Sequence, residues 1–134
     1  MIRERKIEII HDELQDWKSY LQFIEREMVF IKGLINSYMF EPKTEKLFDR
    51  LETFKKQFTA SRKNKKSLNK AIKEHENGLG GIFECSQAEC DNHYYEKHQS
   101  LKEEMTDYIK TYIELKNEVY DYAGSILKKR KPMY

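Results

Sequence analysis

The stretch "HENGLGGIFECSQAECDNHYYEKH", residues 75–98, holds three of the chain's four histidines and both of its cysteines. It reads either as a metal or redox site or as the turn between two helices, and the choice decides the fold. Gly78, Gly80 and Gly81 supply the backbone freedom for a reversal and a helix C-cap. The "SQAE" that follows has the form of a capping box, with Ser86 at the N-cap and Glu89 reaching back from the third helical position. In that frame Cys85 and Cys90 take the two positions of a hydrophobic staple, and buried thiols pack as small apolar side chains. Cys-x4-Cys is not a zinc-motif spacing. The expectation is a capped, stapled turn with reduced cysteines. A thiol pair poised to oxidise and a metal-ligand role are the alternatives.

On either side of this turn the chain is helical in pattern. Upstream, Ile7, Ile10, Leu14, Trp17, Leu21, Ile24, Met28, Ile31, Ile35 and Tyr38 alternate spacings of three and four, which keeps one side of a helix apolar. Phe23, Phe30 and Leu34 widen that stripe in its second half. Glu41-Pro42 closes the segment, because the residue before proline avoids the helical region. A second segment carries Leu47, Leu51, Phe54 and Phe58, turns polar at Ser61 and Lys65, and resumes with Leu68, Ile72, His75 and Leu79. The polar middle makes a kink at residues 59–67 the alternative to a continuous helix. The third segment carries His98, Leu101, Met105, Tyr108, Tyr112, Leu115, Val119, Tyr122 and Ile126, and closes on Lys128, Lys129, Arg130 and Pro132. Helices over about residues 3–39, 44–77 and 86–130, joined by short connections, predict an all-α, elongated up-down-up antiparallel three-helix bundle with coiled-coil-like packing, one domain over 1–134.

Composition agrees with a thin bundle. Charged residues make up 36% of the 134 and hydrophobic residues 39%, as expected when each helix buries only one stripe. A net charge of +2 gives no bulk pull toward nucleic acid or membrane. No apolar run approaches the roughly 20 residues of a membrane span. The opening "MIRERKIEII" has no apolar signal core, so a cytoplasmic location is expected, where thiols stay reduced.

Reversals near residues 41–42 and near residue 80 set which positions face each other. His75 then lies level with Cys85, and Ile72 with His11 and Ala88. One end of the bundle could gather His11, His75, Cys85, Glu89 and His93, with Glu8 nearby. Glu8-x-x-His11 has the spacing that diiron carboxylate bundles place on their helices, but those need two such motifs, and His93-x-x-Glu96 reverses the order. His98 falls on a core position, level with Arg62 and Lys65 and with Tyr20 or Trp17. Ser61, Lys65 and His98 are therefore read together as a buried polar layer that fixes register, with Tyr94, Tyr95 or Ser61 as partners for the imidazole.

Residues 55–73 carry Lys55, Lys56, Arg62, Lys63, Lys65, Lys66, Lys70 and Lys73 and no acid. The facing segments hold Asp12, Glu13, Asp16, Glu25 and Glu27 on the first helix, and Glu89, Asp91, Glu96, Glu103 and Glu104 on the third. Intramolecular charge pairing is expected to balance the basic helix. Tyr120 and Tyr134 are the candidates for exposed aromatic contact.

Trp17 followed by Leu21 and Phe23, Phe54 with Gln57-Phe58, His75-Glu76 before a loop, and His98 with Leu101 form a pattern. In this the chain resembles a group of short helical proteins of Bacteroidetes-type bacteria with no established activity. The resemblance covers most of the chain through loose motifs, and the cysteine pair in the loop departs from it. It implies the helical fold and leaves function open.

The chain has no Gly-rich phosphate loop, nucleophile elbow or Ser/His/Asp arrangement, which leans the reading away from an enzyme. The function expected is a non-catalytic bundle that acts through helix–helix association, as a homodimer or with another helical protein, and needs no cofactor. The alternative is a His/carboxylate metal bundle of redox or storage kind, holding Fe, Zn or Mn. A third reading is a nucleic-acid-associated bundle working through the basic second helix, against which the charge balance weighs.

Overall fold

The computed structural model describes residues 2–37, 42–85 and 88–130, with side chains described throughout except at Phe83 and residues 127–130. Three helices account for nearly all of it: α1 over Ile2–Ile35, α2 over Glu45–Glu84 and α3 over Ala88–Arg130. The expected all-α three-helix bundle is what forms. At about 1.5 Å per residue, the 43 residues of α3 reach roughly 65 Å. No helix among the described residues is long and apolar enough to cross a membrane.

The heptad positions of α1 do what their spacing dictates. Ile7, Ile10, Leu14, Leu21, Ile24, Met28, Ile31 and Ile35 are all buried. α2 is the middle helix. It packs closely against both neighbours, whereas α1 and α3 approach each other far less. α1 and α3 run parallel and are tied by long side chains: Arg3 to Asp91, Glu13 to Lys102 and Glu27 to Lys116.

The start of α2 falls where the sequence reading put it, and the ends of α1 and α2 differ from that reading. α1 stops at Ile35 instead of continuing to about residue 39, because the Ser37 amide bonds back to the Leu34 carbonyl and tightens the last turn. Tyr38 and Glu41 lie outside the described residues. α2 opens on Thr44, whose hydroxyl accepts from the Leu47 amide at 3.2 Å. The largest difference is at the other end of α2. It does not stop at residue 77 but runs through Gly78, Gly80 and Gly81 to Glu84, and none of these glycines has a positive φ.

The reason is tertiary. Ile82 is buried and Leu79 packs against the core, so stopping at residue 77 would leave both without their cover. Burial of two large aliphatic side chains outweighs the helical cost of glycine, about 1 kcal/mol each. Gly78 has a packing role instead of a turning one. A Cβ there would stand 3.2 Å from the Tyr94 ring of α3. The polar middle of α2 introduces no break either, and the helix is continuous through residues 59–67.

The core is split into two clusters. One contains Leu14, Ile24, Ile72, Met105 and Tyr112 and fills the end near the α2–α3 turn. The other contains Ile31, Phe54, Val119 and Tyr122 at the opposite end. Phe58 packs against both. The seam falls where Ser61 and Lys65 interrupt the apolar stripe of α2.

Candidate functional site

The actual reversal sits at Cys85, which forms the C-cap of α2 and donates its amide to the Gly81 and Ile82 carbonyls. Cys85 and Cys90 are joined by a disulfide. This replaces the expected pair of reduced, stapling thiols, because Cys90 lies in the first turn of α3 beside the cap. Ser86 lies outside the described residues, and with it the N-cap half of the expected capping box. Glu89 is exposed. Arg3 closes this end. Its guanidinium binds both carboxylate oxygens of Asp91, at 2.8 and 3.2 Å. It also donates to the carbonyls of Ile82 and Cys85 at 2.9 and 3.3 Å. One side chain from α1 therefore caps the C-terminus of α2 and grips the first turn of α3.

Moving the reversal from residue 80 to Cys85 slides α3 along α2. His75 no longer faces Cys85. It faces His98 and Tyr94 instead. The His75 Nε2 lies 3.1 Å from the His98 Nδ1, and both residues are buried. The rings stack in series across all three helices: Tyr94 on His75 at 4.0 Å, His75 on His98 at 5.2 Å, and Trp17 on His98 at 4.8 Å between centroids. The Tyr94 hydroxyl donates to the His75 carbonyl at 2.7 Å. The second nitrogen of His98 is buried without a hydrogen-bond partner, with the Glu13 carboxylate 3.5 Å away and Lys102 at 3.0 Å from that carboxylate.

These distances select a tautomer. If His75 donates from Nε2 to the His98 Nδ1, then His98 carries its proton on Nε2, aimed at the anionic Glu13. Burial pushes the His75 imidazole down to about 4, reinforced by His98 and Lys97. Burial also lowers His98, opposed by Glu13. Both rings are therefore neutral near pH 7. The arrangement can hold one mobile proton between two rings and lock the three helices in register.

The residues proposed as metal ligands are not brought together. His11, Glu8, Glu89 and His93 are exposed on separate turns, and Cys85 has no thiolate to offer. The Nε2 of His75 is engaged by His98. Among the described residues no group of three His, Cys, Asp or Glu side chains is placed to hold a metal ion.

The expected polar layer divides in two. Ser61 and Lys65 lie at the core seam, as two separate contacts. Ser61 meets the Tyr108 hydroxyl at 3.2 Å, and Lys65, 8% exposed, pairs with Glu25, which also holds Arg62 at 2.9 Å. His98 belongs to the ring ladder nearer the turn, where His75 is its partner in place of Tyr95 or Ser61. The aromatic ladder and the Arg3 cap were not anticipated. Both His75 and His98 stand on apolar stripes in the sequence, so a later reversal point is the one change that would have paired them.

Charge pairing is also less complete than expected. Of the cations at 55–73, Lys55 pairs with Glu52 and both Arg62 and Lys65 with Glu25. Lys56, Lys63, Lys66, Lys70 and Lys73 are exposed and form no ion pair among the described residues. The contact between α1 and α2 is also clasped by Glu76, which accepts from Lys18 at 3.0 Å and Gln15 at 2.8 Å and is held below the usual carboxylate range by that Lys18 bond.

No protein-family model matches this chain, and no curated protein or solved structure matches it at significant similarity.

Proposed function

We propose that this protein works by helix–helix association, with a second copy of itself as partner. The observation that supports this is the aromatic ridge along α1. Phe23 and Phe30 are 49% and 62% exposed, Ile9 is 48% exposed, and the Tyr20 ring packs at a tilt against Phe23 with ring centroids 6.1 Å apart. Tyr20, Phe23 and Phe30 fall on one face by their spacing of three and seven, beside Glu27, which reaches across to Lys116 and Tyr112 on α3. The ridge thus borders the wide α1–α3 side, where the two helices approach each other least. Exposed contiguous apolar surface of this kind marks partner interfaces. Aromatic residues are enriched in such interfaces.

The test is sedimentation or light scattering at high micromolar concentration, on the parent chain and on a Phe23→Asp/Phe30→Asp variant. A dimer that dissociates in the variant with helicity unchanged supports the reading. A parent chain that is monomeric at those concentrations overturns it.

A further inference from the structure

The two flanks of α2 carry opposite charge. On the α1 side, a groove of about 840 Å³ is lined by Lys32, Lys55, Arg62, Lys63 and Lys66, and none of its described lining residues is acidic. On the α3 side, a groove of about 660 Å³ is lined by Glu104, Asp107, Glu114 and Glu118, with Ser61, Asn64 and Ser67 along its α2 wall, and none of its described lining residues is a cation. The sequence reading expected the cations of residues 55–73 to be balanced by facing acids, Glu103 and Glu104 of α3 among them. They do not meet, because a middle helix holds its two flanks apart.

Each flank is extended by an unpaired stripe. Lys56, Lys63, Lys66, Lys70 and Lys73 recur on one outer face of α2 at spacings of three, four and seven. Glu103, Asp107, Glu114, Glu118 and Asp121 recur likewise along α3, interrupted only by Lys110. All ten are exposed, and none forms an ion pair among the described residues. The near-zero net charge of the chain therefore conceals two strong opposed surfaces.

We infer that the lysine ridge of α2 docks against the acidic α2–α3 groove of a second copy. Lysine stems are long, apolar and flexible, and their ammonium groups are point charges, so they suit a groove whose buried lining residues, Leu68 and Leu115, are apolar and whose exposed lining carries carboxylates. A second copy is the occupant because the same chain presents both members of the complementary pair. The contact uses different surfaces on its two partners, so it is head-to-tail and can repeat into a ring or filament. It lies away from the aromatic ridge of α1 and adds a second, salt-sensitive mode of assembly to the apolar one.

The test is a charge swap. One variant carries Lys63→Glu, Lys66→Glu and Lys70→Glu. The other carries Asp107→Lys, Glu114→Lys and Glu118→Lys. All six positions are exposed, and circular dichroism checks that both variants remain helical. The parent chain is expected to form species larger than a dimer at about 0.05 M salt and to lose them by about 0.5 M, where exposed charges are screened. Each variant alone is expected to lose these species, and mixing the two to restore a complex at least about tenfold tighter than either variant's self-association. Association that persists at high salt reports the aromatic ridge alone, so failure of one mode is distinguishable from failure of the other. The inference is overturned if the mixed variants do not associate. It is also overturned if the parent forms nothing larger than a dimer at low salt, and binding of a DNA oligonucleotide that the lysine variant releases would then assign the ridge to polyanions.

Discussion

The Nε2 of His75 lies 3.1 Å from the Nδ1 of His98, in a ladder of four stacked rings contributed by three helices. A hydrogen bond between two neutral imidazoles uses one proton. Adding another makes a buried cation, and adding two makes a like-charged pair. Glu13 offsets one such charge at His98 and Lys102 works against it, while Lys97 works against a charge at His75.

Acid is therefore expected to loosen the bundle before its carboxylates are fully titrated. His75 has a folded value of about 4 against 6.5 for an unperturbed side chain. Between these the unfolded chain binds more protons, so stability is full above about pH 6.5 and falls as pH drops toward 4. The loss from His75 is on the order of 3 kcal/mol at about 1.4 kcal/mol per pH unit. Urea titrations at pH 7.0 and 4.5 measure it. A His75→Phe variant should flatten the dependence across that window. An unchanged slope would show that the titrating group lies elsewhere.

The glycines give a direct test of where α2 ends. Gly80→Ala and Gly81→Ala meet open space inside a helix and should each add about 0.5–1 kcal/mol. Gly78→Ala places its Cβ against the Tyr94 ring and should gain nothing or lose stability. If Gly80→Ala is strongly destabilising, the chain turns there and the register of α3 on α2 is wrong.

Lys65 and Glu25 should respond unequally to substitution. Burial lowers the Lys65 pKa, and Glu25 is its carboxylate partner. Glu25→Gln removes that partner and is expected to cost about 1–3 kcal/mol, since a buried charge loses its compensation. Lys65→Met restores the apolar stripe and should be neutral or stabilising. Denaturation midpoints of the two variants decide the matter, and equal losses would contradict this account.

Arg3→Ala removes a bidentate ion pair and two carbonyl contacts at once. The guanidinium is partly exposed, so a global loss of only about 1 kcal/mol is expected. The sharper readout is local. Amide exchange in the last turn of α2 should accelerate while the middle of the helix stays protected. Asp91→Asn should give part of the same effect, and the double variant little more than Arg3→Ala alone.

The helices themselves were legible in the sequence, because a stripe repeating in threes and fours admits one secondary structure. α1 is the clearest case, with eight of its stripe positions buried. The register was not legible. Glycine propensity favours a turn at residues 78–81, and only the need to cover Leu79 and Ile82 carries the helix onward, a tertiary effect that no local window contains. From that one displacement follow the separation of His98 from Ser61 and Lys65 and its pairing with His75. The Arg3 cap joins residues at the start of α1 to the end of α2, and no periodicity announces it. The opposed flanks of α2 were hidden for a different reason. Counting charges along facing segments ignores azimuth, and Lys63, Lys66 and Lys70 point away from the acids that the count assigned to them.

The split core has a kinetic consequence. With two apolar clusters joined through Phe58 and a polar seam at Ser61 and Lys65, the bundle is expected to behave as two units in series along its length. The unit nearer the turn holds the disulfide, the Arg3 cap and the ring ladder. The other ends near the α1–α2 connection, without a comparable clasp among the described residues. Opening from that distal end is expected to cost less than global unfolding, and faster amide exchange there than near the turn would show it.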